Sequence, residues 1–347
     1  MENSERIKFI GAPGSPYSQK MLSLMRYRHI PYEVIWDMPE NALNKLGIPK
    51  PKPVLLPVFL FDEGGELPVA RCDSTPIIRE LEDRYPERSV LPKDPALAFI
   101  DYLLEDFADE WMTKYMFHYR WFHAEDADNA GTLLPISAGD HIGDSDAATF
   151  KQFFTERQVS RLGYVGSNAV TAPIIEASYE RFLRAMQAHL ARERFLLGDK
   201  PAASDFAFYG QLTQLVGVDP TPRRLAHEIS PRTVGWVMML NDLSGHDAAS
   251  VNWTALEDQP DTLRELLAEC GRVYAPASLA NAAAVQAGKK NWRTRIEGED
   301  WEQGTFPYQA KCLGWINEAY QALSANDKAR VDRVLDGTGC EAMLQGH

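Results

Sequence analysis

Gly11-Ala12-Pro13-Gly14-Ser15-Pro16-Tyr17-Ser18 is the stretch that decides the first half of the fold. It follows Ile7 to Ile10, an apolar run of strand length, and it contains the turn residues that end such a run. Ser15-Pro16 then opens a helix, with serine as cap and proline in the first turn, where its missing N–H costs nothing. Met21, Leu22, Leu24 and Met25 give this helix an apolar side, and the pattern ends near His29. Tyr32 to Trp36 reads as a second strand. Two strands joined by a helix run parallel, which makes a βαβ unit.

Downstream of a polar stretch with weak helical signals, Val54 to Phe61 reads as a third strand interrupted by Pro57. Asp62-Glu63-Gly64-Gly65 is a hairpin turn, and Leu67 to Arg71 returns as a fourth strand. Asp73-Ser74-Thr75-Pro76 starts another helix, with Ile77, Ile78, Leu81 and Tyr85 at helical spacing before Pro86 ends it. The order βαβ then ββα is the thioredoxin arrangement. From Pro95 the strand signals largely disappear. One long helical pattern covers Ala96 to Phe122, and others cover Ala147 to Leu162, Ala172 to Arg192, Asp205 to Val216 and Arg232 to Leu243. Leu263 to Cys270 begins a further helix. His123 to Asp146, rich in Gly, Asp and Ala, reads as a surface loop or insertion. In the tail, Gly298 to Thr305 reads as a polar loop before a helix carrying Leu313, Ile316, Tyr320 and Leu323. The expected class is therefore α/β plus all-α: a thioredoxin-like domain over 1–88, an all-helical domain over 95–270 with an insertion near 123–146, and a helical extension over 271–347.

Bulk properties restrict the partners. The 347 residues are 45% hydrophobic and 24% charged, as in a folded protein of more than one domain, and the net charge is −13. Nucleic-acid backbones and anionic membranes reward clustered Lys and Arg, so neither is an expected partner. No apolar run is long enough to span a bilayer. Four scattered cysteines suit a reducing compartment, and the expected location is cytoplasmic.

Three short segments carry the chemistry. Ser15-Pro16-Tyr17-Ser18 resembles the glutaredoxin CPYC motif with serine at both cysteine positions. Leu55-Leu56-Pro57-Val58 puts a proline inside a strand, where it removes a ladder hydrogen bond. Asp73-Ser74-Thr75-Pro76-Ile77 resembles a Glu/Gln-Ser-x-Ala-Ile helix start. In this order and spacing they resemble the glutathione site of the glutathione transferase superfamily, in its serine type. Leu81-Glu82-Asp83-Arg84-Tyr85-Pro86 resembles the usual exit from the first domain. Phe195 to Pro201 with Ser204-Asp205-Phe206-Ala207 resembles the helix that nucleates the second, although Ala202 stands at its capping position. The resemblance covers Ile7 to about Leu243. The tail beyond Cys270 has no counterpart in ordinary members.

The resemblance implies glutathione as co-substrate and assigns roles to residues. Ser15 would donate a hydrogen bond to the glutathione sulfur at a helix N-terminus, favouring thiolate over thiol. Leu56 would offer its backbone to the cysteinyl part, with the Leu56–Pro57 bond cis; the alternative is an edge-strand proline, and the position of Pro57 between the other two motifs favours cis. Asp73 would accept from the γ-glutamyl ammonium group, and Ser74 with its helix N-terminus would hold the carboxylate. Lys52, or Lys50, is nearest for the glycine carboxylate. Trp111, Tyr115 and Tyr119 share one face of the long helix and, with Tyr17, would wall a pocket for a small electrophile. The same face equally fits ordinary helix packing. Neither His118 with His123 nor Glu105 with Asp109 has a recognised ligand pattern, so no metal is expected. A homodimer is implied by the family. The expected function is activation of the glutathione thiolate for attack on an apolar or aromatic electrophile. The alternative is a non-catalytic binding or assembly module, whose cleft the segment near Trp301 and Phe306 would fill. Thiol–disulfide exchange is disfavoured because Ser15 and Ser18 form no mixed disulfide, and Cys72 reads as a packing cysteine.

Overall fold

Alternation along the strands builds the first domain. In the computed structural model, which describes residues 6–137 and 142–344, β1 (Ile7–Gly11), β2 (Tyr32–Trp36), β3 (Val58–Phe61) and β4 (Val69–Cys72) form one sheet in the order β2-β1-β3-β4. β1 and β2 are parallel, and the other pairs are antiparallel. Successive side chains point to opposite faces. Ile7, Phe9, Phe59 and Phe61 therefore join one core with α1 (Pro16–Tyr27) and α3 (Ser74–Arg84). Ile10, Val58 and Leu60 join the other with Leu43 of α2 (Pro39–Leu46). Phe9 stacks on Phe59 at 5.2 Å between ring centres.

The second domain hangs on one long helix. α4 (Pro95–Phe107) and α5 (Thr113–Phe122) are joined without a break by a π-helical turn over Ala108–Met112. Asp94 caps α4, its carboxylate accepting from the N–H groups of Ala96 and Leu97 at 3.0 Å. α6 (Ala124–Ser137), α7 (Asp144–Val159), α8 (Ala172–His189), α9 (Ala203–Gly217), α10 (Pro220–Ile229), α11 (Pro231–Leu240) and α12 (Asp261–Glu269) complete it. α9 crosses α1 so closely that a Cβ at Gly210 would stand 2.5 Å from the Pro16 carbonyl oxygen. At the start of α9, Asp205 accepts from the N–H groups of Ala202 and Leu196, both at 2.8 Å. The cap that Ala202 lacks comes from α4, where Asp101 accepts from the Ser204 N–H at 2.9 Å.

Two expectations are corrected. The segment 123–146 is largely helical: α6 occupies most of it and α7 begins in it, while residues 138–141 lie outside the described residues. α7 is the helix read from Ala147 to Leu162, begun three residues earlier, and it buries none of its residues. The tail is not purely helical. After α13 (Ala275–Gln286) comes a hairpin of β5 (Asn291–Ile296) and β6 (Glu299–Gly304), followed by α14 (Pro307–Ala322) and α15 (Ala325–Leu335). Its turn is Glu297-Gly298, at φ 56° and 80°, the left-handed pair that a two-residue hairpin requires. Its signal was present in the sequence: Trp292-Arg293-Thr294-Arg295-Ile296 alternates strictly before a Gly-containing turn.

Candidate glutathione site

Strand register brings the three sequence motifs to one edge of the sheet. Ile10, near the end of β1, pairs with Val58 at the start of β3, and Val58 pairs with Cys72 at the end of β4. Ser15, Pro57 and Asp73 each lie just beyond these partners, so all three segments emerge on the same side. The Leu56–Pro57 bond is cis, and so is Lys52–Pro53. Lys52 is exposed.

Ser15 is half-buried and caps α1, its Oγ accepting from the Ser18 N–H at 3.2 Å. An accepted bond of this kind leaves the hydroxyl proton free to donate elsewhere. Ser18 is buried and holds the turn, its Oγ accepting from the Ala12 N–H at 3.2 Å. The turn is also gripped from the second domain. Arg120 donates to the Gly14 carbonyl at 3.0 Å while it is paired with Asp219 at 3.0 Å and with Gln214 at 2.7 Å. Sequence reasoning missed Arg120, because nothing in its local pattern reports a partner in another domain.

Asp73 sits at φ 86°, a conformation rare for a residue with a side chain and retained where surrounding structure imposes it. Its Oδ2 accepts from the Tyr308 hydroxyl of α14 at 2.6 Å. Ser74 is buried, and its Oγ accepts from the Lys20 ammonium at 3.1 Å. Lys20 is the central cation of the region. It also contacts Glu105 at 2.9 Å and Asp109 at 2.6 Å, and Thr75 and Arg79 donate to Glu105 at 3.1 and 2.7 Å. Burial alone would push the Glu105 carboxyl up, but Arg79 and Lys20 hold it down at about 2. Tyr17 closes this group, donating to the Asp109 carbonyl at 2.7 Å.

The proposed electrophile wall is not open. Trp111, Tyr115 and Tyr119 are all buried. Trp111 lies 5.4 Å from Trp301 of the hairpin. The Tyr115 hydroxyl pairs with Ser178 at 2.6 Å, and Tyr119 packs on Tyr179 at 5.2 Å. Periodicity correctly put the three on one face, but α8 and the extension cover that face. Of the four residues, only Tyr17 borders the sheet-edge site. Cys72 is half-buried, donates to the Pro53 carbonyl at 3.2 Å and has its thiol pushed up by burial. That is the environment of an unreactive cysteine.

Asp106 in α4 and Glu110 in the π-helical turn are buried acids that make no ion pair among the described residues. Burial raises Asp106 to about 7 against the Tyr274 hydroxyl that donates to it at 2.5 Å, and burial together with Asp106 raises Glu110 to about 8. Carboxyls whose folded pKa exceeds the unfolded value contribute stability that is full below the unfolded pKa and lost as pH rises through the folded one. The melting temperature should therefore fall between about pH 4 and pH 8, measured by circular dichroism across that range. A flat or rising profile would contradict this account of the cluster.

These features define a class: a thioredoxin-like domain with its binding edge at a helix N-terminus, followed by an all-helical domain. The family model described as Glutathione S-transferase, N-terminal domain, matches residues 9–89, and that described as Glutathione S-transferase, C-terminal domain, matches residues 156–237. The chain belongs to the glutathione transferase superfamily. Solved structures similar to it include a glutathione S-transferase from Rhodospirillum rubrum F11, at 18% identity over 72% of this chain and 94% of that one, with a TM-score of 0.42. A GST-like protein from Pseudomonas syringae is 14% identical over 74% of this chain and 78% of that one, with a TM-score of 0.45. A glutathione transferase family member from Pseudomonas fluorescens Pf-5, solved with two glutathione bound, is 15% identical over 77% and 94%, with a TM-score of 0.41. No curated protein matches the chain. Among the described residues no helix is long and apolar enough to cross a membrane.

Proposed function

We propose that the chain binds glutathione along the shared sheet edge and activates its sulfur as a thiolate at the N-terminus of α1. The observation that carries this reading is the register that collects Ser15, cis-Pro57 and Asp73-Ser74 on one edge. Ser15 donates to the sulfur, and the helix dipole adds to the stabilisation of negative charge. Asp73 keeps an oxygen for the γ-glutamyl ammonium while Tyr308 orients the other. The Ser74 side, with buried Lys20 beside it, suits the γ-glutamyl carboxylate. The thiolate then attacks a small apolar or aromatic electrophile at the sheet edge near Tyr17.

Calorimetry with glutathione and turnover of a generic aromatic electrophile test this. Ser15→Ala should retain binding within a few fold and lower turnover about 10- to 100-fold, the worth of one to two pKa units on the thiol. Absence of glutathione binding at millimolar concentration would end the reading.

A second reading, a non-catalytic module that keeps the fold, is favoured by one specific observation. The helix face that should wall an electrophile pocket is filled, with Trp301 seated on Trp111. Tight glutathione binding without turnover of any electrophile in a broad panel would decide for it.

A further inference from the structure

The C-terminal half of α5 and the residue that follows it meet the second turn of α8 through three side chains that the glutathione site does not use. His118 Nε2 lies 3.2 Å from Glu176 Oε1, and His123 Nε2 lies 3.1 Å from the same oxygen. The three donor atoms all fall within 4.8 Å of one another. We propose that His118, His123 and Glu176 hold one divalent transition metal of the zinc type, with a further position left for water.

The separations fit. Ligand atoms about 2.0–2.2 Å from a four-coordinate zinc stand about 3.3 Å apart, and in an octahedral set about 2.9 Å apart. The two measured distances lie between these values. A plain hydrogen-bond account explains only half the cluster. His118 Nε2 is placed to bond Glu176, but His123 Nε2 is buried and has no hydrogen-bond partner among the described residues, despite its 3.1 Å approach to the carboxylate. Its nitrogen is close to the oxygen without being aligned to donate to it. A buried ring nitrogen without a hydrogen bond, beside a second ring nitrogen and a carboxylate oxygen common to both, suits two ligands around a cation.

The surroundings suit the same role. His118 is fully buried and its Nδ1 pairs with Ser167 Oγ at 2.8 Å, the outer contact that fixes ring orientation in metal-bound histidines. His118 stacks on Phe122 at 4.7 Å, which holds the ring further. Asp126 lies near enough to interact with His118 electrostatically and adds negative charge. On the outer side, His123 and Glu176 keep 33% and 37% of their side chains exposed, so an ion has a path in and water can complete its coordination. Two imidazoles and one carboxylate select zinc, cobalt(II) or nickel(II) over magnesium or calcium, which prefer oxygen alone. The metal would clip α5 to α8 at the point where the chain departs into α6 and α7.

The full-length chain, stripped with chelator, is titrated with zinc by calorimetry, alongside the His123→Ala and Glu176→Gln chains. The native chain should take up one equivalent and melt at a higher temperature with zinc than without. Either substitution should weaken uptake about tenfold or more and remove the rise in melting temperature. Cobalt(II) in place of zinc gives a second readout on the native chain, a visible spectrum from nitrogen and oxygen ligands that is lost in both variants. Because both substituted residues are partly exposed, the variants should keep the native circular dichroism. If a variant does not fold, the cobalt spectrum of the native chain still decides. No zinc uptake, uptake equal in all three chains, or a cobalt spectrum showing thiolate ligands would overturn the proposal.

Discussion

Replacing Lys20 with methionine should destabilise the protein by about 3–5 kcal/mol, the usual consequence of removing one partner from a buried ion cluster. Lys20 is 1% exposed and lies between Glu105 and Asp109, at 2.9 and 2.6 Å. Methionine matches its length, so packing is nearly kept and the charge alone is removed. Glu105 would retain Arg79, but Asp109 would lose its cation while its other oxygen already lacks a partner among the described residues. Urea denaturation measures the loss. Adding Asp109→Asn to Lys20→Met should recover part of it, because the stranded charge is then absent. A loss below about 1 kcal/mol would mean that the cluster is solvated and acts as a surface pair. The same substitution frees the Ser74 hydroxyl, so glutathione affinity should fall with stability.

The second large effect is expected in the extension. Trp301 is 1% exposed, stacked against Trp292 at 6.5 Å and tilted over Trp111 at 5.4 Å, with the Lys114 ammonium 5.9 Å from its ring. Trp301→Ala should cost about 3–5 kcal/mol, lost transfer energy plus the cavity left behind. The fit is close on the other side too, since a Cβ at Gly166 would stand 2.6 Å from the indole. If the fold survives, the cavity bares Trp111, and an apolar fluorescent probe should bind the variant better than the native chain. A cost under about 1 kcal/mol would show that the hairpin is only loosely seated on the second domain.

The two substitutions mark different limits of sequence reading. Ser15, Pro57 and Asp73-Ser74 were legible because each acts through local chemistry: a cap, an interior strand proline, a helix start. Lys20 was not, although it lies only five residues beyond Ser15. Its value comes from Ser74, Glu105 and Asp109, which lie on α3 and on the long helix that opens the second domain. Trp111, Tyr115 and Tyr119 mark the opposite limit. Their spacing fixes a shared face, but spacing contains no term for what lies against it. A pocket wall and a packed core have the same periodicity. The occupant, Trp301, comes from β6, within the segment Gly298 to Thr305 that the sequence alone reads as a polar loop. Arg120 repeats the case: it is a helix residue by pattern, and only its contacts with Asp219, Gln214 and the Gly14 carbonyl make it a brace for the Ser15 turn.

By itself, then, the sequence determined the thioredoxin-like unit, the switch to helices after Pro95, and the three segments of the candidate site. Alternation, caps and proline act over a few residues and leave their record in neighbouring positions. Only the tertiary structure decided that the aromatic face is closed, that Tyr308 reaches Asp73, and that His118, His123 and Glu176 converge. Each of those depends on the energy of bringing together side chains from distant parts of the chain, and that energy leaves no trace in the local order of residues.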